Sequence, residues 1–132
     1  MFSKQQVRTL LFFYIAVLVI GSFLPVAAKQ RLGTRSAEGI SATPSLAHRW
    51  WHIAGFGLAA LLASATTRIP RALALQSTGL LALGAVIEFL QMFISAADLE
   101  WWDIRDDGYG IVGLTIFGQL GIIRKILLKD AP

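Results

Sequence analysis

The sequence predicts an all-α fold, a bundle of four transmembrane helices. Three observations carry that reading. Hydrophobic residues make up 55% of the chain and charged residues 15%, with a mean hydropathy of +0.63. A soluble domain of this size needs more polar surface. Apolar runs recur along the whole length, and they are too long and too poorly alternating for barrel strands, so helices are the spanning form. The basic residues lie mostly at the ends of those runs, where Lys and Arg meet lipid headgroups.

The first span covers residues 7–24 and stops at Pro25, because proline ends a helix. The second, 50–65, opens on Trp50-Trp51 and ends before Thr66-Thr67-Arg68. The third, 72–94, follows Arg68 and Arg71, with Pro70 marking the break. The fourth, 104–128, follows Trp101-Trp102 and is closed by Lys129. Each is near the roughly 20 residues that cross a bilayer core of about 30 Å, the second being short. No linker, repeat or low-complexity block divides residues 1–132, so a single integral membrane domain is expected. Span 1 has a competing reading: Lys4 and Arg8 before it and Val26-Ala27-Ala28 after it also form a signal-peptide pattern. Its apolar length favours a retained helix.

With the N-terminus inside, the inner segments carry Lys4, Arg8, Arg68, Arg71, Arg124, Lys125 and Lys129, and the outer ones Lys29, Arg31, Arg35, Arg49 and Arg105. This bias puts both termini in the cytoplasm. Both Trp pairs then fall at one interface, as an aromatic belt does. The net charge of +4 and pI near 10.0 are explained by the membrane surface, and no nucleic-acid partner is expected. The absence of Cys excludes disulfides, thiolate metal sites and a Cys nucleophile.

Glu88 is the residue that points to a site. It lies inside the third apolar run, where a charged side chain costs about 2.5–3.5 kcal/mol if it meets lipid. Such a group faces the protein interior, has a partner and tends to mark function. Gln91 follows three residues later and shares its helix face, as a ligand contact or as interhelical glue. His52 lies in the first turn of span 2, and Asp103, Asp106 and Asp107 open span 4. Spans 2 and 4 start where span 3 ends, so these groups share one membrane face. Asp103, Asp107 and Gly110 form one i, i+4, i+7 stripe. The expected ligand-binding cluster is therefore His52, Glu88, Gln91, Asp103 and Asp107, opening outwards between the Trp pairs. Asp103 as a helix N-cap, with Asp106 and Asp107 as acids complementing the helix dipole, is the competing structural explanation. The glycines of span 4 suit close helix packing. Around His52, Glu88 and the aspartates no metal-binding spacing is read, and neither metal nor cofactor is expected.

The ordered set resembles the VanZ-like family of small polytopic bacterial membrane proteins. There a His opens the second helix, a Glu-xx-Gln pair closes the third and an Asp-xxx-Asn-xx-Gly pattern opens the fourth. His52, Glu88-xx-Gln91 and Asp103-xxx-Asp107-xx-Gly110 follow that order, and Ser22-Phe23-Leu24-Pro25 is similar to the family's Ser-x-x-Pro end of helix 1. Asp107 stands where the family has Asn. The family's Arg before the first Asp is missing, since Ala96-Ala97-Asp98-Leu99-Glu100 fills that stretch. The resemblance implies a cell-envelope role in the bacterial cytoplasmic membrane and a link to teicoplanin-type glycopeptide sensitivity. Two classes of function follow. One is a non-catalytic factor that binds an envelope lipid or glycan precursor, or a partner protein. The other is a small intramembrane acid/base enzyme with Glu88 as acid or base and His52 as its partner.

Overall fold

Ser3 opens the first helix with a capping box: its hydroxyl accepts the Gln6 N–H at 3.2 Å while the Gln6 side chain accepts the Ser3 N–H at 2.8 Å. The structure, a computed structural model, describes residues 2–24, 46–95, 99–120 and 125–126. Among these it shows four helices and no sheet: α1 (Lys4–Ser22), α2 (Leu46–Ala65), α3 (Pro70–Ser95) and α4 (Trp101–Gln119). Pro70 takes the first helical position of α3, where its missing N–H costs nothing.

The boundaries differ from the expected spans in two informative places. Helix α2 starts at Leu46, a full turn before Trp50. Loss of hydrophobicity does not end a helix, and the polar turn carries His48 and Arg49. Helix α4 starts at Trp101 and ends at Gln119, short of residue 128. Lys125 and Ile126 are again helical. The possible cleavage motif at Val26-Ala27-Ala28, the basic residues Lys29, Arg31 and Arg35, and Arg124 and Lys129 lie outside the described residues.

Helices α2 and α4 run parallel and in register. Hydrogen bonds join His48 to Asp103, His52 to Asp107 and Gln119 to the Ser64 carbonyl, each across the same 55-residue separation. Glycine makes this close approach possible. A Cβ on Gly110 would overlap the Ile53 carbonyl, one on Gly57 would lie 3.2 Å from the Gly110 carbonyl oxygen, and one on Gly118 would overlap the Ser64 hydroxyl. Helix α3 runs antiparallel beside them, pairing Ser77 with Thr115 at 3.4 Å near one end and Gly84 with Asp107 near the other. Helix α1 lies antiparallel to α2. Its Tyr14 hydroxyl donates to the Gly55 carbonyl at 3.0 Å, and Val7 packs with Leu62 and Ala65.

The core is Phe56, Ala59, Ala60, Leu80, Ile87 and Ile111, flanked by Leu11, Ile15, Leu18 and Leu83. Around it the usual partition of a water-soluble protein is reversed. Phe12, Leu75, Phe93 and Ile116 are well exposed, while Glu88, Asp103, Asp106 and Asp107 are buried. Such an extended apolar exterior marks a surface made for something other than water. Two segments, Lys4–Ser22 and Pro70–Ile94, are long and apolar enough to cross a membrane. Helices α2 and α4 are of similar length but carry their polar residues in their first turns.

Candidate functional site

The site is assembled where α2 and α4 begin and α3 ends. One helical turn separates His48 from His52 on α2, and one turn separates Asp103 from Asp107 on α4. Because the helices are parallel and in register, the two pairs face each other. His48 Nε2 lies 2.9 Å from Asp103 Oδ2, and His52 Nδ1 lies 2.8 Å from Asp107 Oδ1. The pairs are cross-linked, since His52 Nε2 is also 3.3 Å from Asp103 Oδ2. Glu100, just before α4, comes within 3.7 Å of His48 Nε2. The two imidazole rings stand 4.8 Å apart, tilted by 56°.

Beside this ladder a second arrangement holds Asp106. Arg49 Nε donates to its Oδ2 at 2.8 Å, and Arg105 donates to its Oδ1 through Nε at 3.0 Å and Nη2 at 2.7 Å. Asp106 is fully covered, while both arginine side chains keep about a third of their surface outside, 38% and 34%. The Arg105 guanidinium also lies over the Trp102 ring, 4.5 Å from its centroid. That contact ties the charged clamp to one of the two Trp pairs.

Glu88 is turned inward from α3, with 5% of its surface exposed. It lies within electrostatic reach of His52, Asp103 and Asp107 and makes no hydrogen bond among the described residues. Gly84, one turn earlier, makes room for Asp107, whose carboxylate a Cβ there would overlap. Asp103 Oδ1 is buried and has no hydrogen-bond partner, so half of this carboxylate is unsatisfied.

Of the residues expected from the sequence, His52, Asp103 and Asp107 are in direct contact and Glu88 borders them. Gln91 is not with them. Its amide donates to the Ser22 carbonyl at 2.6 Å and fastens α3 to the end of α1, which is the interhelical role. A step of three residues turns a helix by about 300°, so Gln91 points some 60° away from Glu88. Asp103 is not a helix N-cap. Glu100 takes that position without a side-chain cap bond, and Asp103 stands three residues into α4. Nor is Asp106 an acid stabilising the helix dipole; it is the centre of the arginine clamp. Five participants go beyond the expected set: His48, Arg49, Glu100, Arg105 and Asp106. With His52 taken alone the sequence shows no metal spacing; with His48 added, the two histidines stand at i,i+4. One donor atom from each of His48, His52 and Asp103 lies within 4.8 Å of the others.

No protein-family model, curated protein or solved structure matches the chain.

Proposed function

We propose that this chain is a four-span, VanZ-like protein of the bacterial cytoplasmic membrane. In this reading the His/Asp end of its bundle receives the polar end of an envelope lipid or glycan precursor. Buried carboxylates within an apolar exterior are the observation that carries it. Glu88, Asp103 and Asp107 are enclosed by helices whose outer faces are Phe, Leu, Ile and Trp, an arrangement suited to lipid around the bundle. Helices α2 and α4 complete the four spans, because their polar turns face each other instead of lipid. The exposed pairs Trp50-Trp51 and Trp101-Trp102 stand at the shared start of these two helices, as interface anchors do. Imidazoles and carboxylates recognise sugar hydroxyls and amides, and the half-exposed arginines offer a cationic rim to a phosphate.

Membrane topology tests the frame. Reporter fusions at Arg35 and Glu100 should read outside, and fusions at Arg68 and Pro132 inside. A periplasmic signal from Arg68 overturns the four-span arrangement.

The second reading, a small intramembrane acid/base enzyme, draws on one observation: Glu88 is buried, makes no hydrogen bond among the described residues and lies within electrostatic reach of His52. Glu88→Gln separates the two, since it keeps shape and polarity but removes the titratable carboxyl. At matched membrane levels the binding reading expects glycopeptide sensitivity to stay within about twofold of wild type. A loss of tenfold or more, by about 1.4 kcal/mol per decade, transfers the conclusion to the enzyme.

A further inference from the structure

We infer that His48, His52 and Asp103 form a binding site for a divalent transition-metal ion of the zinc type. The inference rests on the reading of this cluster as a ligand site, and adds what occupies it first. The donor set is two imidazole nitrogens and one carboxylate oxygen, the three-ligand complement that leaves zinc a fourth position open.

Geometry supplies the first argument. Asp103 Oδ2 lies 2.9 Å from His48 Nε2 and 3.3 Å from His52 Nε2. Ligands about 2.0–2.1 Å from a tetrahedral zinc ion are separated from one another by roughly 3.4 Å. Two of the three donor separations are therefore close to the edge of a zinc tetrahedron, and the third is no longer than 4.8 Å, so side-chain adjustment admits the ion. The histidines are held on one face by helical spacing, and Asp103 is presented from the parallel neighbour.

The second argument comes from behind the donors. His52 Nδ1 is 2.8 Å from Asp107 Oδ1. With the proton on Nδ1 donated to Asp107, Nε2 keeps its lone pair 3.3 Å from Asp103 Oδ2, which is also a lone-pair donor. Two such atoms so close are stabilised by a positive centre beside them, an ion or a proton. A carboxylate behind a histidine, fixing the tautomer and raising its basicity, is the recurring support of metal-bound imidazole. Asp107 is this support, and Gly84 is the space that lets it stand there.

The third argument is the unpartnered atom. Asp103 Oδ1 is buried with no hydrogen bond, although buried carboxylate oxygens are ordinarily satisfied. An ion at Oδ2 places Oδ1 in range of the same charge. Asp106 does not compete, because two arginines hold it.

A proton shared between imidazoles and carboxylates is the competing arrangement, and metal uptake distinguishes it. Full-length protein in detergent micelles is incubated with zinc chloride, passed over a desalting column and analysed for metal by mass spectrometry. About one zinc per chain is expected. The His48→Gln/His52→Gln double variant should retain less than a tenth of that. Gln keeps an amide N–H near the position of Nε2 and so preserves the hydrogen bond to Asp103; circular dichroism and a single elution peak check its fold. Asp107→Asn should weaken zinc affinity about 10–100-fold while leaving the ligands in place. Cobalt(II) loaded in place of zinc should give the intense visible absorption of a tetrahedral site in the wild type and not in the double variant. Equal zinc in wild type and double variant, or none in either, overturns the inference. Binding of an envelope precursor to the metal-free double variant would retain the proposed ligand and remove the ion. A bound ion with no effect of His48→Gln/His52→Gln on glycopeptide sensitivity would retain the ion and remove the proposed role.

Discussion

Helices α3 and α4 make an instructive pair. Both present large apolar side chains to the outside: Leu75, Phe89 and Phe93 on α3, and Tyr109, Val112, Ile116 and Phe117 on α4. By composition only α3 qualifies as a membrane span. The difference lies in one turn and a half, where α4 carries Asp103, Arg105, Asp106 and Asp107. All three of its aspartates are buried. Hydropathy averages what a helix is made of, whereas lipid meets only what a helix shows. A charged helix can therefore present the same exterior as an apolar one, provided that a partner helix takes its charges. Helix α2 is that partner, and it has two histidines and an arginine to do so.

If that is right, the largest effect should come from prising α2 and α4 apart. Gly110→Leu places a side chain where the Ile53 backbone already stands. Overpacking typically costs about 1–3 kcal/mol and more when the obstacle is backbone, so the variant should lose its thermal transition in micelles or fail to accumulate. Gly113→Leu, three residues later with open space around it, should behave as wild type. Equal stability of the two would break the comparison.

A smaller effect is expected from the arginine clamp. Asp106→Asn removes the charge that holds Arg49 and Arg105 but keeps the volume. The arginines are partly in solvent, so the loss is less than for a wholly enclosed pair. The melting temperature should fall by about 3–6 °C, with the gap to wild type narrowing in high salt. A gap unaffected by salt would assign Asp106 to packing instead of charge.

The smallest effect belongs to the outer faces. Phe12 on α1 is among the most exposed residues of the chain. Phe12→Ala should change stability by no more than about 0.5 kcal/mol, measured by the same thermal melts. A larger loss would mean that this face of α1 meets other protein.

Much of the site is legible in the sequence. Glu88 was identified by the cost of placing it against lipid, and His52, Asp103 and Asp107 by the end of the bundle they share. Hydropathy hid the rest. Dividing the chain at the edges of apolar runs started the second helix at Trp50, which left His48 and Arg49 in a loop. The i,i+4 spacing of His48 and His52 was present in the sequence, but it acquires meaning only when both residues are helical. The i,i+3 spacing puts Gln91 on the face of Glu88 only approximately, and the remaining rotation carries it to α1 instead. Asp106 could not be told from an acid stabilising the helix dipole without knowing that two arginines converge on it. The parallel register of α2 and α4 decides all of these assignments, and it comes from close contacts of Gly57, Gly110 and Gly118 that a linear pattern does not display.

The 55-residue separation between each histidine and its aspartate also sets an order of events during synthesis. A growing chain that has emerged only as far as α3 holds His48, Arg49 and His52 with no acid from α4 to meet them. The contacts of the ladder are long-range and cannot form until the last helix arrives. Helix α4, for its part, brings three aspartates that are costly to bury until α2 receives them. Completion of the site and burial of these aspartates are therefore one step, so a chain truncated before Trp101 lacks not only a helix but also the acids that meet His48, Arg49 and His52.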